Sequence, residues 1–148
     1  MADWATRALG WLVDTGFSIA ISIVGRIGGA IIGAVSGALG ALISLLFGLV
    51  GLAYLVIQLV KQGNTGQTVG KKIVGLMVIN ESTGQPIGPG LSIVRYIAHI
   101  ADVLTCFVGY LFPLWDPKRQ TFADKIMGTV VVTVPKQPFN PQDLYTTT

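Results

Sequence analysis

Two pairs of ionisable residues lie within otherwise apolar stretches, where they could do chemistry. Arg7 and Asp14 are seven residues apart, and so are Arg95 and Asp102. This spacing returns to the same face of an α-helix. Because a charge inside a bilayer is costly, these groups should face protein or water and pair with one another. Two interpretations follow: a pathway for an ion or polar ligand, with Asp14 and Asp102 as binding or proton-carrying groups, or a buried polar network that fixes the helix register.

The stripe around Arg95 favours the structural interpretation. His99 and Cys106 fall on the same helical face as Arg95 and Asp102, and Ser92 extends that face. An amphipathic helix lying at a membrane surface, with its polar face towards headgroups, explains such a stripe simply. His99 has no second His or Cys at ligand spacing, so the sequence predicts no metal site. Cys106 lies in an apolar run and is expected to be a packed thiol.

Other chemistry finds little support in the sequence. The chain has no combination of nucleophile, base and orienting residue, so no catalytic residue is predicted and an enzyme is the least favoured class. The run from Gly66 to Lys72 lacks the spacing of a phosphate-binding loop, and no cofactor is predicted. No basic patch interleaved with aromatic residues is present, which argues against nucleic acid as a partner.

The elements that must position these residues are membrane helices. Only 11% of the 148 residues are charged and 51% are hydrophobic, and the stretch from Ala8 to Val60 carries only Asp14 and Arg26 as charges. A spanning helix needs about 20 apolar residues. The sequence therefore predicts two spans, Ala8–Arg26 and Ala41–Val60. Residues 27–40 between them are expected to form either a short outer hairpin or helical extensions of both spans.

Small residues recur every four positions from Gly25 to Gly48, across the connection between the two predicted spans. One row consists of Gly25, Gly29, Gly33 and Gly37, and a second of Ser36, Gly40, Ser44 and Gly48. Such rows let helix backbones approach closely. Packing between the two helices of one chain is favoured over self-association through a glycine zipper.

Two short β-branched segments predict a small sheet outside the membrane. Lys72–Ile79 and Gly128–Val134 each read as a strand, and the two are expected to pair because a lone strand leaves its backbone unsatisfied. Pairing places residues 62–90 and the C-terminal part on one side of the membrane. The apolar stretch Leu91–Trp115 between them then either crosses once, without strand pairing, or folds back as a re-entrant or interfacial hairpin. The fold-back is favoured, because Gly109 and Pro113 weaken a straight span.

Three motifs, in order, resemble those of the RDD family of small integral membrane proteins. The run from Gly66 to Val78 is similar to the signature GQTxGKxxxGLxV, and the run from Trp115 to Val132 is similar to FDPxRxxxxDxxxGTxVV. Arg7 and Asp14 match an Arg at the head of the first helix and an Asp within it. The resemblance implies that the family's eponymous Arg, Asp and Asp are Arg7, Asp14 and Asp124. The candidate motif and polar-network residues are Arg7, Asp14, Gln67, Gly70, Lys71, Arg95, Asp102, Asp116, Asp124 and Gly128.

These observations predict a mainly α-helical membrane protein with a short two-stranded cytoplasmic β element. Residues 1–134 are expected to form the membrane domain and residues 135–148 a flexible tail. Segregation of basic residues places both termini in the cytoplasm and the helices in the plasma (inner) membrane. The favoured function is a non-enzymatic membrane subunit that assembles with itself or with other membrane proteins. The alternative is a transporter or ion-conducting protein built around the intramembrane Arg and Asp residues.

Overall fold

The computed structural model describes residues 1–147 and is dominated by two long antiparallel helices. Helix α1 spans Trp4–Gly33 and helix α2 spans Gly37–Thr65. Both are long and apolar enough to cross a membrane. Only residues 34–36 separate them, so the stretch between the predicted spans forms helical extensions of both. We call α1 and α2 together the membrane hairpin.

Close packing in the membrane hairpin depends on Gly25, Gly29 and Gly33 of the first small-residue row and on Gly40 of the second. A Cβ atom added at Gly29 would lie 2.2 Å from Ser44 Oγ, and one at Gly40 would lie 2.6 Å from the Cα of Gly33. A Cβ at Gly25 would lie 2.3 Å from the Cβ of Phe47. The row therefore packs within one chain, as the favoured interpretation predicts. Gly37 has no heavy atom within 4 Å of an added Cβ and takes no part in this packing.

A small folded unit sits on the end of the hairpin that carries both the chain start and the end of α2. It contains helix α3 (Val69–Val74), strand β1 (Leu76–Asn80), helix α6 (Phe122–Met127) and strand β2 (Thr129–Thr133). The strands pair antiparallel, with Leu76 opposite Thr133 and Asn80 opposite Thr129. The predicted strand pairing is confirmed. We call residues 66–80 and 116–134 the polar cap.

The first predicted strand was placed too early in the sequence. Residues 72–74 belong to α3, and β1 begins only at Leu76. Thr68 caps the start of α3 by accepting a hydrogen bond from the backbone of Lys71, and Gly75 ends it with a φ of 76°. These local caps outweigh the β-branched character of Ile73 and Val74.

The main hydrophobic core lies in the polar cap. It consists of Leu76, Val78 and Val131 from the two strands, with Ile87 and the chain's second residue, Ala2. The backbone N–H of Ala2 donates to the carbonyl of Val131 at 2.9 Å. The start of α1 is thereby fixed to the sheet, which sets the position of Arg7 and Asp14 relative to the cap.

The apolar segment between the strands follows the fold-back alternative. Helix α4 spans Pro89–Leu104, and after Cys106 and Phe107, both in the left-handed region, the chain turns by 106° into α5 (Val108–Leu111) and a short 3-10 helix (Phe112–Leu114). The indole of Trp4 donates to the carbonyl of Tyr110 at 2.9 Å. The amide of Gln62 donates to the hydroxyl of Ser92 at 3.0 Å. These contacts lie at the cap end of α1 and α2, so the segment leaves and returns on one side.

Candidate functional site

Asp124 is the centre of a buried charge cluster. It lies in the first turn of α6, where its carboxylate and the side chain of Thr121 form a capping box. Its side chain is fully buried and forms salt bridges with Arg7 and with Arg95. The hydroxyl of Thr129 also donates to it at 3.0 Å. Burial acts to raise the pKa of Asp124, but the charges of Arg95 and Arg7 outweigh this and hold it far below its usual value.

This cluster joins parts of the chain that are distant in sequence. Arg7 comes from α1, Arg95 from α4, and Asp124 and Thr129 from the second half of the polar cap. Removing one partner of such a buried ion pair strongly destabilises the folded protein, because the remaining charge is buried without an opposite charge. The sequence predicts that Arg95 pairs with a residue of its own polar stripe, which contains Asp102. In the structure its partner is Asp124 instead.

Asp14 binds the start of helix α3. One carboxylate oxygen accepts from the hydroxyl of Thr68 at 2.5 Å, and the other accepts from the backbone N–H of Gly70 at 2.7 Å. A Cβ atom at Gly70 would lie 2.1 Å from the carbonyl oxygen of Gly10, so only glycine allows α3 to approach α1 this closely. The carboxylate is placed where the free N–H groups of α3 need an acceptor.

The sequence also predicts a cation partner for Asp14, with Lys71, Arg95 and Lys125 as candidates, because an ionised carboxylate within a membrane helix needs a cation or water. Within residues 1–147 no salt bridge to Asp14 forms. Arg95 binds Asp124, and Lys125 binds Asp116 at 2.6 Å. The expectation was wrong because the N-terminal N–H group and cap hydroxyl of a short helix supply the donors instead. That helix is α3, of which residues 72–74 are predicted as strand from the sequence.

Lys71 lies near both carboxylate sites without a salt bridge to either. Desolvation, reinforced by the charges of Arg95 and Arg7 and opposed by that of Asp14, lowers the pKa of Lys71 to about 8. Lys71 and Asp124 flank the two strands predicted from the sequence, a placement that also predicts their pairing, but Asp124 binds Arg7 and Arg95 instead. Gln67, in the same motif, donates to the carbonyl of Leu76 at 2.7 Å and fixes the entry to β1.

The remaining acidic motif residues order the return of the chain into the cap. Asp102 is fully buried, accepts from the backbone N–H of Phe122 at 2.9 Å and contacts Nδ1 of His99 at 2.6 Å. Asp116 accepts from the backbone N–H groups of Lys118 and Gln120 at 3.1 and 3.0 Å.

The arrangement of α4 reverses the expected orientation of its polar face. Ser92, Arg95 and Asp102 are buried against the protein, and its apolar side chains are exposed. The polar face therefore binds the cap rather than headgroups. Cys106 is exposed, not packed as expected, because the chain turns at this residue. Gly128 ends α6 with a φ of 58°, which turns the chain into β2.

A second charge cluster was missed in the sequence. Asp143 lies in a 3-10 helix at Pro141–Leu144 and binds Lys61 at 2.6 Å and Lys72 at 3.0 Å. Burial acts to raise the pKa of Asp143, but hydrogen bonds from the two lysines lower it overall. Asp143 is the single acidic residue of the segment predicted to be a flexible tail. Its isolation is the one feature of the sequence that could have indicated a specific partner. Flexibility of that segment stays a prediction; in the structure Phe139 contacts α1, and Asp143 contacts α2 and α3.

These features define a helical membrane protein with a polar cap fastened to a membrane hairpin by buried carboxylates. The chain belongs to the RDD family, which matches residues 1–128. It is similar to a proline-rich antigen homolog of Mycobacterium tuberculosis, with 44% identity over 140 residues, covering 89% of this chain and 58% of that protein. A proline-rich antigen of Mycobacterium leprae is 55% identical over 74 residues, covering 50% of this chain and 30% of that protein. No solved structure gives a significant match.

The chain thus spans well under two thirds of the relatives it matches. What the longer proteins do as wholes does not pass to this chain. The family match ends before β2, so Asp143 lies outside it, whereas its partners Lys61 and Lys72 lie within it.

Proposed function

We propose that this chain is a non-enzymatic integral membrane subunit that assembles with itself or with other membrane proteins. The observation that carries the proposal is the use of the motif side chains. Asp124 binds Arg7 and Arg95, and Asp14 binds the start of α3. These groups act in fastening the polar cap to the membrane hairpin, which is a structural use of the motif.

An exposed positive charge on the membrane hairpin supports assembly with a partner helix. Arg26 is exposed on α1 between the exposed apolar residues Val24 and Ile27, about 10 Å along the helix axis from its end at Gly33. A guanidinium on an apolar helix surface needs a carboxylate, a phosphate or water. A partner helix that supplies an acceptor would satisfy it. The glycine row does not provide the contact, because its members at Gly25, Gly29 and Gly33 already pack against α2.

The orientation follows from the distribution of positive charge. All the basic residues except Arg26 belong to the cap end of the molecule or its adjoining segments. Cytoplasmic segments of membrane proteins carry an excess of Lys and Arg. The proposal therefore places the polar cap and both described ends of the chain in the cytoplasm, at the plasma (inner) membrane.

The alternative function is transport or ion conduction. Its support is a carboxylate, Asp14, within a membrane helix and beside Lys71, whose pKa of about 8 lies close to physiological pH. Two closely packed helices leave little room for a pathway within one chain, so transport requires an oligomer or a partner. This function competes directly with the structural role of Asp14.

Purification in mild detergent, followed by mass measurement and a liposome flux assay, tests the proposal. We expect a stable complex with itself or with other membrane proteins, dissociated by Arg26→Leu and retained by the control Ile27→Leu. We also expect no ion- or pH-dependent flux. A monomer that retains no partner contradicts the proposal. A flux that Asp14→Asn abolishes while the fold and mass stay unchanged establishes the alternative.

A further inference from the structure

The C-terminal segment covers a site that combines two lysines with an apolar groove. Lys61 stands at the cap end of α2, and its side chain is only 3% exposed. Its Nζ binds the carboxylate of Asp143 at 2.6 Å and the carbonyl oxygen of the same residue at 3.4 Å. Lys72, on α3, lies 3.0 Å from both carboxylate oxygens. The amide of Gln58 adds a bond of 3.2 Å to the same carbonyl.

This arrangement is a site built for an anion. A buried ammonium is stable only when a negative charge and hydrogen-bond acceptors replace the water it has lost. Asp143 supplies both to Lys61 and also neutralises Lys72. The carboxylate comes from a segment that lies outside the residues matched by the family, so the lysines are held by the hairpin and cap while their anion is not.

An apolar groove runs along the membrane hairpin, next to the segment that carries Asp143. Its volume is about 370 Å³. It is lined on α1 and α2 by Phe17, Ala20, Ile21, Val50, Ala53, Tyr54 and Ile57. Leu144 and Tyr145, which directly follow Asp143, also line it, and Phe139 stacks on Phe17 with 5.6 Å between ring centroids.

The groove also holds an unsatisfied polar group. Tyr54 is 7% exposed, and within residues 1–147 its hydroxyl is the one buried side-chain polar atom that has no hydrogen-bond partner. Buried hydroxyl groups normally have a partner. A ligand of this groove therefore needs an acceptor near the Tyr54 hydroxyl, about 10 Å along α2 from Lys61 at 1.5 Å per residue, as well as apolar surface.

The position of the site identifies the chemistry of its ligand. Along α2 the distance from Lys61 to Val50 is about 16 Å at 1.5 Å per residue. The groove belongs to helices that cross the bilayer, and the lysines lie where α2 enters the polar cap. A ligand that matches has a negative group at the membrane surface, acceptor oxygens below it and an acyl chain along the helices. Anionic phospholipids have this structure: phosphate, glycerol esters and acyl chains.

We propose that Lys61, Lys72 and the groove between α1 and α2 form a binding site for an anionic phospholipid. In this structure, Asp143 occupies the position proposed for the lipid headgroup, and Leu144 and Tyr145 cover the groove. The lipid and the C-terminal segment compete for the site. Release of the segment opens the groove to the bilayer, and the lipid phosphate replaces the carboxylate on both lysines.

The test uses the full chain in detergent, with native mass spectrometry to count bound lipid. Phosphatidylglycerol and phosphatidylcholine of identical acyl chains are titrated separately, and inorganic phosphate is the third arm. Asp143→Asn removes the competing charge and leaves both lysines in place. We expect it to raise the apparent affinity for phosphatidylglycerol about tenfold, equivalent to about 1.4 kcal/mol, without a change for phosphatidylcholine. Adding Lys61→Gln and Lys72→Gln should remove the gain.

Two further variants keep the result interpretable. Leu144→Ser with Tyr145→Ser weakens the cover of the groove without changing any charge, and should also raise phosphatidylglycerol binding if Asp143→Asn unfolds the protein. Glu81→Gln is the matched control. It frees Lys118, whose side chain is 56% exposed, by the same change of charge, and should leave lipid binding unaltered.

Several results overturn the proposal. Equal binding of the two lipids by Asp143→Asn shows that the lysines do not select a headgroup. Unchanged phosphatidylglycerol binding in both Asp143→Asn and the Leu144→Ser, Tyr145→Ser variant shows that the segment does not cover a lipid site. Competition by inorganic phosphate at the concentration of the lipid shows an anion site that makes no use of the groove.

Discussion

At the scale of single residues, Asp124 is expected to contribute strongly to the stability of the molecule, because it is fully buried and pairs with two arginines. Asp124→Asn leaves the buried guanidiniums of Arg7 and Arg95 without their carboxylate, a change that costs about 3–5 kcal/mol for buried pairs. We expect a large fall in the melting temperature in detergent. Arg7→Gln should cost less, because Arg95 still neutralises the carboxylate. The double variant of Arg7 and Asp124 should cost less than the sum of the two single changes.

The same carboxylate predicts how stability depends on pH. The folded-state pKa of Asp124 is lower than its ordinary value of 3.8. Its contribution to stability is therefore complete above that value and decreases as the pH falls below it. The melting temperature of the wild-type protein should fall on acidification in this range more steeply than that of Asp124→Asn. Parallel curves for the two proteins would contradict the charge assignment.

Gly70 provides a residue-scale test of the contact between Asp14 and α3. In Gly70→Ala the new Cβ would lie 2.1 Å from the carbonyl oxygen of Gly10 and 2.8 Å from Cγ of Asp14, so α3 must move away from α1. Overpacking of this kind costs about 1–3 kcal/mol. Gly90→Ala is the control, because nothing lies within 4 Å of its Cβ. Equal melting temperatures for the two variants would show that α3 does not lie against α1.

The residues of the motifs were predictable from the sequence, but their partners were not. Spacing placed Arg7 with Asp14, and Arg95 with Asp102, on common helix faces. In the structure, Asp14 instead binds Gly70 of α3, and Arg95 binds Asp124 of α6. Helical periodicity reports which side chains share a face and carries no information on what packs against that face. Asp143 was missed for the same reason, since its partners Lys61 and Lys72 are more than 70 residues earlier in the chain.

At the scale of elements, the contact of Gly40 on α2 with Gly29 and Gly33 on α1 determines the distance between the two helices. Gly40→Ala places a Cβ 2.5 Å from the carbonyl oxygen of Gly29 and 2.6 Å from the Cα of Gly33, where only backbone atoms could give way. We expect the helices to separate and the melting temperature to fall. Gly37→Ala, on the same helix, meets nothing within 4 Å and should be neutral. A neutral Gly40→Ala would show that the helices are farther apart than in this structure.

Element boundaries show where sequence patterns suffice. The two long helices and the strand pairing were predicted because apolar length and β-branched runs are strong local signals. Helix α3 was not, because six residues with Ile73 and Val74 at the end resemble a strand more than a helix. Its two caps, Thr68 and Gly75, are weak signals by themselves. Asp14 on α1 adds an acceptor for the backbone N–H of Gly70, a contact that no local sequence pattern indicates.

At the scale of the whole molecule, the proposal that the polar cap is cytoplasmic has a direct test. The turn of the membrane hairpin at residues 34–36 lies at the end opposite to the cap, and Val35 there is 89% exposed. Gln85 and Asn140 are exposed on the cap side. Ser36, next to Val35 in this turn, and Gln85 and Asn140 are changed to Cys one at a time, in a Cys106→Ser background that removes the chain's one native thiol. A membrane-impermeant maleimide is then applied to intact cells.

We expect labelling of Ser36→Cys from outside and none of Gln85→Cys or Asn140→Cys until the membrane is permeabilised. The reason is that a two-helix hairpin with a fold-back segment returns every part of the chain after α2 to the side on which α1 begins. Labelling of Gln85→Cys and Asn140→Cys with protection of Ser36→Cys would invert the orientation and leave the fold intact. Labelling of Asn140→Cys together with Ser36→Cys, but not Gln85→Cys, would require α4 and α5 to cross the membrane. That result would separate β1 from β2 and contradict the antiparallel pairing on which the polar cap is built.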